Sequence, residues 1–298
     1  MAVWKPNATT LGNSTVFGSN VSSLFINTNN SLYAPNAGAG DVRIWHEGSL
    51  SPVSVQLSNM HPVQPSLFVT ITGAIYLNSD NNGTISVDRW SPNSPTRNYT
   101  TDMGGLCQGL FVDFNDTLYC SLYTQHKVIA KSLLSDLFTI VTVAGNGSEG
   151  SRRQMLAYPE GIFVDTNFLL YVADSANNRI QRFASGQLHG TTVAGNTSTV
   201  KVLLNRPRGV VLDARSYLYI ADSDHHRIVA QGPSGFRCIA GCAGSSGSAA
   251  DQLNSPRSLS FDNRGNIFVA DTGNARVQKF ESIVISCGKL TKNIHPNE

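Results

Sequence analysis

A chain of 298 residues holds one large all-β domain or two ordinary ones. With 41% hydrophobic and 14% charged residues, it has the apolar material for a core and lies far from a disordered composition. The net charge of +2 is too small to imply nucleic acid by itself, and no apolar run approaches the roughly 18 residues of a membrane helix. Met1 to Pro6 lack the apolar stretch of a signal peptide and lead straight into strand-like sequence, as expected for part of a longer multidomain protein.

In chain order, Ala8–Asn13 comes first and has the pattern of a later strand, Gly190–Asn196. Six repeats follow. Each carries an apolar triplet: Leu24-Phe25-Ile26, Leu67-Phe68-Val69, Leu110-Phe111-Val112, Ile162-Phe163-Val164, Val210-Val211-Leu212 and Leu259-Ser260-Phe261. An aromatic follows every triplet centre by a fixed eight residues: Tyr33, Tyr76, Tyr119, Tyr171, Tyr219 and Phe268. Turn residues such as Asn27-Thr28-Asn29-Asn30 and Asn115-Asp116 lie between. A constant offset is what two paired strands require, because a slip of one residue turns every buried side chain outward.

A third strand is expected at Val42–Trp45, Thr84–Arg89, Lys127–Lys131, Arg179–Phe183, Arg227–Gln231 and Arg276–Phe280. A fourth is expected in most repeats, as at Phe138–Ala144, Thr191–Ala194 and Phe236–Ala240. Four short antiparallel strands per repeat of about 45 residues describe the blade of a six-bladed β-propeller. Residues 1–288 form that domain, with blades starting near 20, 62, 105, 155, 205 and 254, and residues 289–298 form a flexible tail. The ring closes if Ala8–Asn13 supplies the fourth strand of the last blade; Ser282–Ser286 is the rival closing strand.

Nine Asn-x-Ser/Thr sequons, at Asn7, Asn13, Asn20, Asn29, Asn82, Asn98, Asn115, Asn146 and Asn196, favour an extracellular domain or ectodomain. Cysteines point the same way. Cys107 and Cys120 flank a predicted hairpin, and Cys238 and Cys242 can bridge only if the chain bends at Ala240-Gly241. Cys287 is left to stay free or to pair elsewhere.

The clearest repeat reads Tyr158-Pro159-Glu160-Gly161-Ile162-Phe163-Val164-Asp165, then Leu170-Tyr171-Val172-Ala173-Asp174 and Asn177-Asn178-Arg179-Ile180. Blades five and six repeat it through Arg206-Pro207-Arg208-Gly209 and Ser255-Pro256-Arg257-Ser258. These residues resemble the NHL repeat family, strongly over 141–281 and weakly before. Blade one has Ala34-Pro35-Asn36 and blade three Cys120-Ser121-Leu122 where the pattern wants Ala-Asp. The resemblance implies the fold and leaves the activity open.

Within the pattern, the pairs Asp174/Arg179, Asp222/Arg227 and Asp271/Arg276 read as structural turn pairs, since a catalytic group is normally unique. Asp113, Asp165, Asp213 and Asp262 end the first strands, with Asn27 and Thr70 in the equivalent places of blades one and two. Such a ring serves either as turn caps or as ligands for a cation in the central channel. Propellers resembling the amidating lyases hold a metal with histidines, but His46, His61, His126, His189, His225, His226 and His295 share no repeat position. His225 and His226 read as exposed turn residues. The expectation is therefore a non-catalytic scaffold without a cofactor, binding a protein or glycan on one face. The alternatives are an extracellular lyase or hydrolase using channel calcium or zinc, and an RNA-binding domain whose basic patch would be Arg206, Arg208, Arg215 and Arg257.

Overall fold

A computed structural model describes residues 3–18, 21–36, 38–57, 66–81, 84–91, 97–134 and 139–283. Six four-stranded antiparallel sheets lie in chain order. Blade four shows the pattern. Its strands Pro159–Val164, Leu170–Asp174, Arg179–Phe183 and Thr191–Ala194 pair in sequence, and Phe163 faces Tyr171 across the first two. Phe25 with Tyr33, Phe68 with Tyr76, Phe111 with Tyr119, Val211 with Tyr219 and Ser260 with Phe268 share that register. The eight-residue offset is thus the register of the innermost hairpin.

The ring closes as the first of the two expected routes has it. Thr9–Gly12 pairs with Arg276–Phe280 and completes blade six. Ser282–Ile283 plays another part, pairing with Val3–Trp4 as a separate two-stranded ladder. Trp4 locks that ladder by donating its indole N–H to the Gly265 carbonyl at 2.8 Å and packing edge-on against Tyr219. The C-terminal tail and Cys287 lie outside the described residues.

The core is divided among the blade interfaces. Apolar clusters fill each of the six gaps, for example Leu110, Leu118 and Cys120 with Tyr76 and Val87, and Leu259, Val269 and Phe280 with Tyr219 and Ile228. No blade buries its faces alone, so the ring stands as one unit. Cys107 bonds to Cys120 across the first hairpin of blade three, and Cys238 bonds to Cys242. The bend that the second bridge requires is made at Gly241, whose φ is +68°.

Near the axis the inner strands come close. A methyl group on Gly109 would stand 2.6 Å from the Glu160 carbonyl oxygen, and one on Gly209 would stand 2.7 Å from that of Arg257. Gly161 makes the same approach to Arg208. Glycine is needed here for space rather than for backbone freedom. We predict that Gly209→Ala destabilises the protein by about 1–3 kcal/mol in urea unfolding, as overpacking against backbone does. Unchanged stability would show that the blades are not in this contact.

Candidate functional site

A cavity of about 610 Å³ runs along the axis of the ring. The first strands line it, all running in one direction, so each presents the same sequence positions at the same depth. Five residues separate Glu160 from Asp165, which puts the two mouths roughly 16 Å apart.

At mid-depth the triplet centres form the wall. Phe25, Phe68, Phe111 and Phe163 make a crescent across blades one to four, with neighbouring ring centroids 4.9, 4.8 and 5.3 Å apart. Val211 and Ser260 complete the circle. Aromatic pairs at these spacings are attractive beyond their buried area.

One mouth is set by the residue three places before each triplet centre. In blades one, three, four, five and six these are Ser22, Gln108, Glu160, Arg208 and Arg257, all lining the cavity. A register shift between Pro159 and Ile162, repeated at Cys107/Leu110 and Pro207/Gly209, breaks the strict alternation of the strand. Such irregularities re-aim side chains, here toward the axis. The mouth is therefore two-sided, with charged groups on blades four to six and small or neutral groups opposite.

Glu160 is buried. Its Oε1 lies 3.4 Å from Arg208 Nε and accepts from the Ser175 hydroxyl, also at 3.4 Å. Burial pushes its carboxyl above the ordinary range, against the opposing pull of Arg208, Arg257 and Arg206. Burial likewise lowers Arg257, assisted by the positive charge of Arg208. Nearby, Tyr123 and Tyr158 pack at a tilt of 50° with ring centroids 4.9 Å apart, and His126 packs edge-on against Tyr158 at 4.7 Å.

The opposite mouth is organised differently. Asp113 Oδ1 accepts the N–H groups of Asn115 and Thr117, each at 2.9 Å, and its Oδ2 accepts the Tyr119 hydroxyl at 3.0 Å. Asp165 and Asp213 do the same with Tyr171 and Tyr219. Asp262 caps Arg264 and Asn266, Asn27 caps Asn29 and Ser31, and the Thr70 hydroxyl accepts the Ala74 N–H. Burial and then the charge of Asp213 push Tyr219 up to about 12, and Tyr119 and Tyr171 are raised for the same two reasons.

Residues 156–183 and 253–280, in blades four and six, match the NHL repeat model. Both matched stretches fall on the inner hairpin and third strand of a blade, and the other blades repeat that register. The chain is a six-bladed β-propeller that carries NHL repeats in blades four and six. No curated protein matches its sequence. Among solved structures, a Bacteroides thetaiotaomicron protein of unknown function is 14% identical with a TM-score of 0.72, covering 93% of this chain and 76% of that one. Virginiamycin B lyase from Staphylococcus aureus is 13% identical with a TM-score of 0.63, covering 94% and 100%. An auxiliary nutrient binding protein from B. thetaiotaomicron is 15% identical with a TM-score of 0.63, covering 89% and 69%. At these identities the likeness is one of fold.

Against this NHL ring, the sequence-derived candidates sort cleanly. The Asp/Arg pairs are buried staples. Arg179 Nε donates to Asp174 Oδ2 at 2.7 Å, Arg227 to Asp222 at 2.8 Å and Arg276 to Asp271 at 2.6 Å. Their remaining guanidinium N–H groups hold the crossover loops, as Arg276 does through the carbonyls of Ser248, Ala249 and Gln252. The other aspartate oxygen accepts the N–H of Ala157, Asn205 or Asn254. Each of these lies three residues before Glu160, Arg208 or Arg257, so the staples position the charged mouth.

The four strand-end aspartates do not converge on one site. Only Asp113 among them lines the cavity, and all four spend Oδ1 on turn N–H groups and Oδ2 on a tyrosine hydroxyl or the Asn266 amide. The histidine reading needs correction. His225 Nδ1 lies 2.8 Å from Asp222 Oδ2, and His226 Nδ1 accepts the Ser255 N–H at 3.1 Å; both are half-buried structural groups rather than free turn residues. Of the four arginines considered as a basic patch, Arg206, Arg208 and Arg257 gather at one mouth, while Arg215 sits on a turn at the other.

Glu160 was visible in the sequence only as part of the NHL motif. The signal lay in a position that changes chemistry from blade to blade while its neighbours repeat.

A carboxyl raised by burial adds stability below its ordinary value of 4.5 and loses it as pH climbs through the raised value. The stability of Glu160→Gln relative to wild type should therefore rise between acid and neutral pH in denaturant unfolding. A pH-independent difference would contradict the assignment.

Proposed function

We propose that this NHL propeller is a non-catalytic recognition domain of the extracellular space, taking a protein or glycan ligand at the arginine-bearing mouth. The observation that carries the reading is the contrast between mouths. At one, the carboxylates are consumed by turns. At the other, Arg206, Arg208 and Arg257 with the tilted Tyr123–Tyr158 pair bring charge and aromatic rings together. Aromatic and arginine side chains supply most of the energy in protein interfaces, and aromatic faces also suit sugar rings.

The extracellular part rests on the two disulfides and the sequons. Asn7, Asn13, Asn29, Asn115, Asn146 and Asn196 are all exposed. Asn20 and Asn82 lie outside the described residues, as does the side chain of Asn98. Among the described residues, no helix is long and apolar enough to cross a membrane.

A catalytic reading has one observation in its favour, the buried Glu160 with its raised carboxyl at the channel mouth, which is how a proton-transfer group is often held. Virginiamycin B lyase shares the fold. Among the described residues, no three His, Cys, Asp or Glu side chains gather as a metal site. An RNA-binding reading needs a continuous basic face, and the separation of Arg215 from the other three arginines works against it.

Protein and glycan arrays should give ligands for the wild type that are lost with Arg206→Ala and kept with Arg215→Ala. Equal loss in both would place binding elsewhere. A stoichiometric, chelator-removable calcium or zinc in the native protein would contradict the non-catalytic reading, and a wholly unglycosylated native protein would contradict the compartment.

A further inference from the structure

The buried staple arginines of blades four and six are well used. Arg179 and Arg276 each donate to a carboxylate and to three backbone carbonyls. The two arginines of the channel mouth differ. Arg208 Nε is buried without a hydrogen-bond acceptor, since its 3.4 Å approach to Glu160 is an ion pair that lacks hydrogen-bond geometry. Arg257 uses its backbone N–H on the Ala270 carbonyl, and its guanidinium finds no acceptor among the described residues. A buried donor is normally paired, so the Arg208 Nε calls for an explanation, while the half-buried Arg257 guanidinium stays open to the channel.

Charge tells the same story. Arg206, Arg208 and Arg257 face the single carboxylate of Glu160, so the mouth carries an excess of positive charge in a partly dehydrated setting. Arginine does not escape this by losing its proton. Two guanidinium groups with free N–H forks match the two oxygens of a carboxylate, the acceptor that arginine binds in bidentate fashion. Directly below lies the apolar wall of Val211, Phe163, Phe111 and Phe68. Such a wall offers nothing to the hydroxyl groups of a sugar acid. The volume of about 610 Å³ falls within the range of small-molecule pockets.

We propose that the channel is a binding site for a small monocarboxylic acid with an apolar body. The carboxylate lies on Arg257 and Arg208, and the body packs against the phenylalanine crescent. Glu160 stands beside Arg208 and offsets part of the positive charge of the mouth. This goes beyond recognition of a macromolecule on the face and does not depend on it, because the site lies inside the ring.

Isothermal titration with phenylbutyrate, phenylbutanol and glucuronate tests the proposal on the intact protein. Phenylbutyrate should bind, and phenylbutanol and glucuronate should bind about tenfold or more weakly. Arg257→Met should weaken phenylbutyrate by a similar factor and leave phenylbutanol unchanged, while Arg215→Ala changes neither. If Arg257→Met fails to fold, Arg257→Gln gives the same comparison, since it also removes the charge. The proposal is overturned if phenylbutyrate does not bind, if phenylbutanol binds equally, if glucuronate binds better, or if removing the Arg257 charge leaves the affinity intact. Any of these leaves the array result for the propeller face standing.

Discussion

The buried carboxylate at the end of the second strand in blades four, five and six organises this molecule. Asp174, Asp222 and Asp271 each take an arginine from the third strand on one oxygen and a crossover N–H on the other. Burial is costly for such a group: it lifts Asp174 above the ordinary carboxyl range despite the Ala157 N–H and the Arg179 guanidinium. The pair fixes a backbone, and breaking a buried pair by removing one partner typically costs about 3–5 kcal/mol. The backbone it fixes leads directly into the channel. Three residues after each pinned N–H stands Glu160, Arg208 or Arg257, and one residue later, in blades four and five, comes the glycine that lets the next blade approach.

The other three blades lack this staple, and each is tied differently. Blade one pairs Asp41 with Arg43 at 3.0 Å, blade two pairs Asp88 with Arg97 at 3.2 Å, and blade three carries the Cys107–Cys120 bridge. Closing loops of this size by a disulfide stabilises by about 3 kcal/mol in the chain-entropy account, comparable to an ion-pair staple. The channel follows the same division. Stapled blades present charge at the mouth, and blades one and three present Ser22 and Gln108. The phenylalanine crescent belongs mainly to the unstapled side. An amphipathic cavity results from joining two kinds of blade in one ring.

Much of this was legible in the chain itself. The eight-residue offset states the inner register, because period-two burial permits no slip. The closing strand was legible because Ala8–Asn13 repeats a fourth-strand pattern. The aspartate ring admits two roles from sequence alone, and only geometry shows Oδ1 of Asp165 or Asp213 taken by two backbone N–H groups. The charged mouth was legible only in part: Arg206, Arg208 and Arg257 stand in the candidate basic patch, but nothing in the chain joins them to Glu160 or sets Arg215 apart. Alternation alone does not say that Glu160 and Arg208 face the axis, since the register shift beside them reverses the direction that a regular strand would give. Nor does a motif reading separate Arg208 and Arg257 from the repeat that contains them. Their distinction is that their donors are unspent, while those of Arg179 and Arg276 are used.

The central claim is that one mouth of the ring holds unspent arginine donors in a setting that wants an anion. A crystal structure grown with bromide tests it most directly through anomalous scattering. The account predicts a bromide in contact with the Arg257 guanidinium, reached also by Arg208, and none on Asp113, Asp165, Asp213 or Asp262. Bromide found only on outer surfaces, with Arg208 and Arg257 both hydrogen-bonded to protein acceptors, would contradict it.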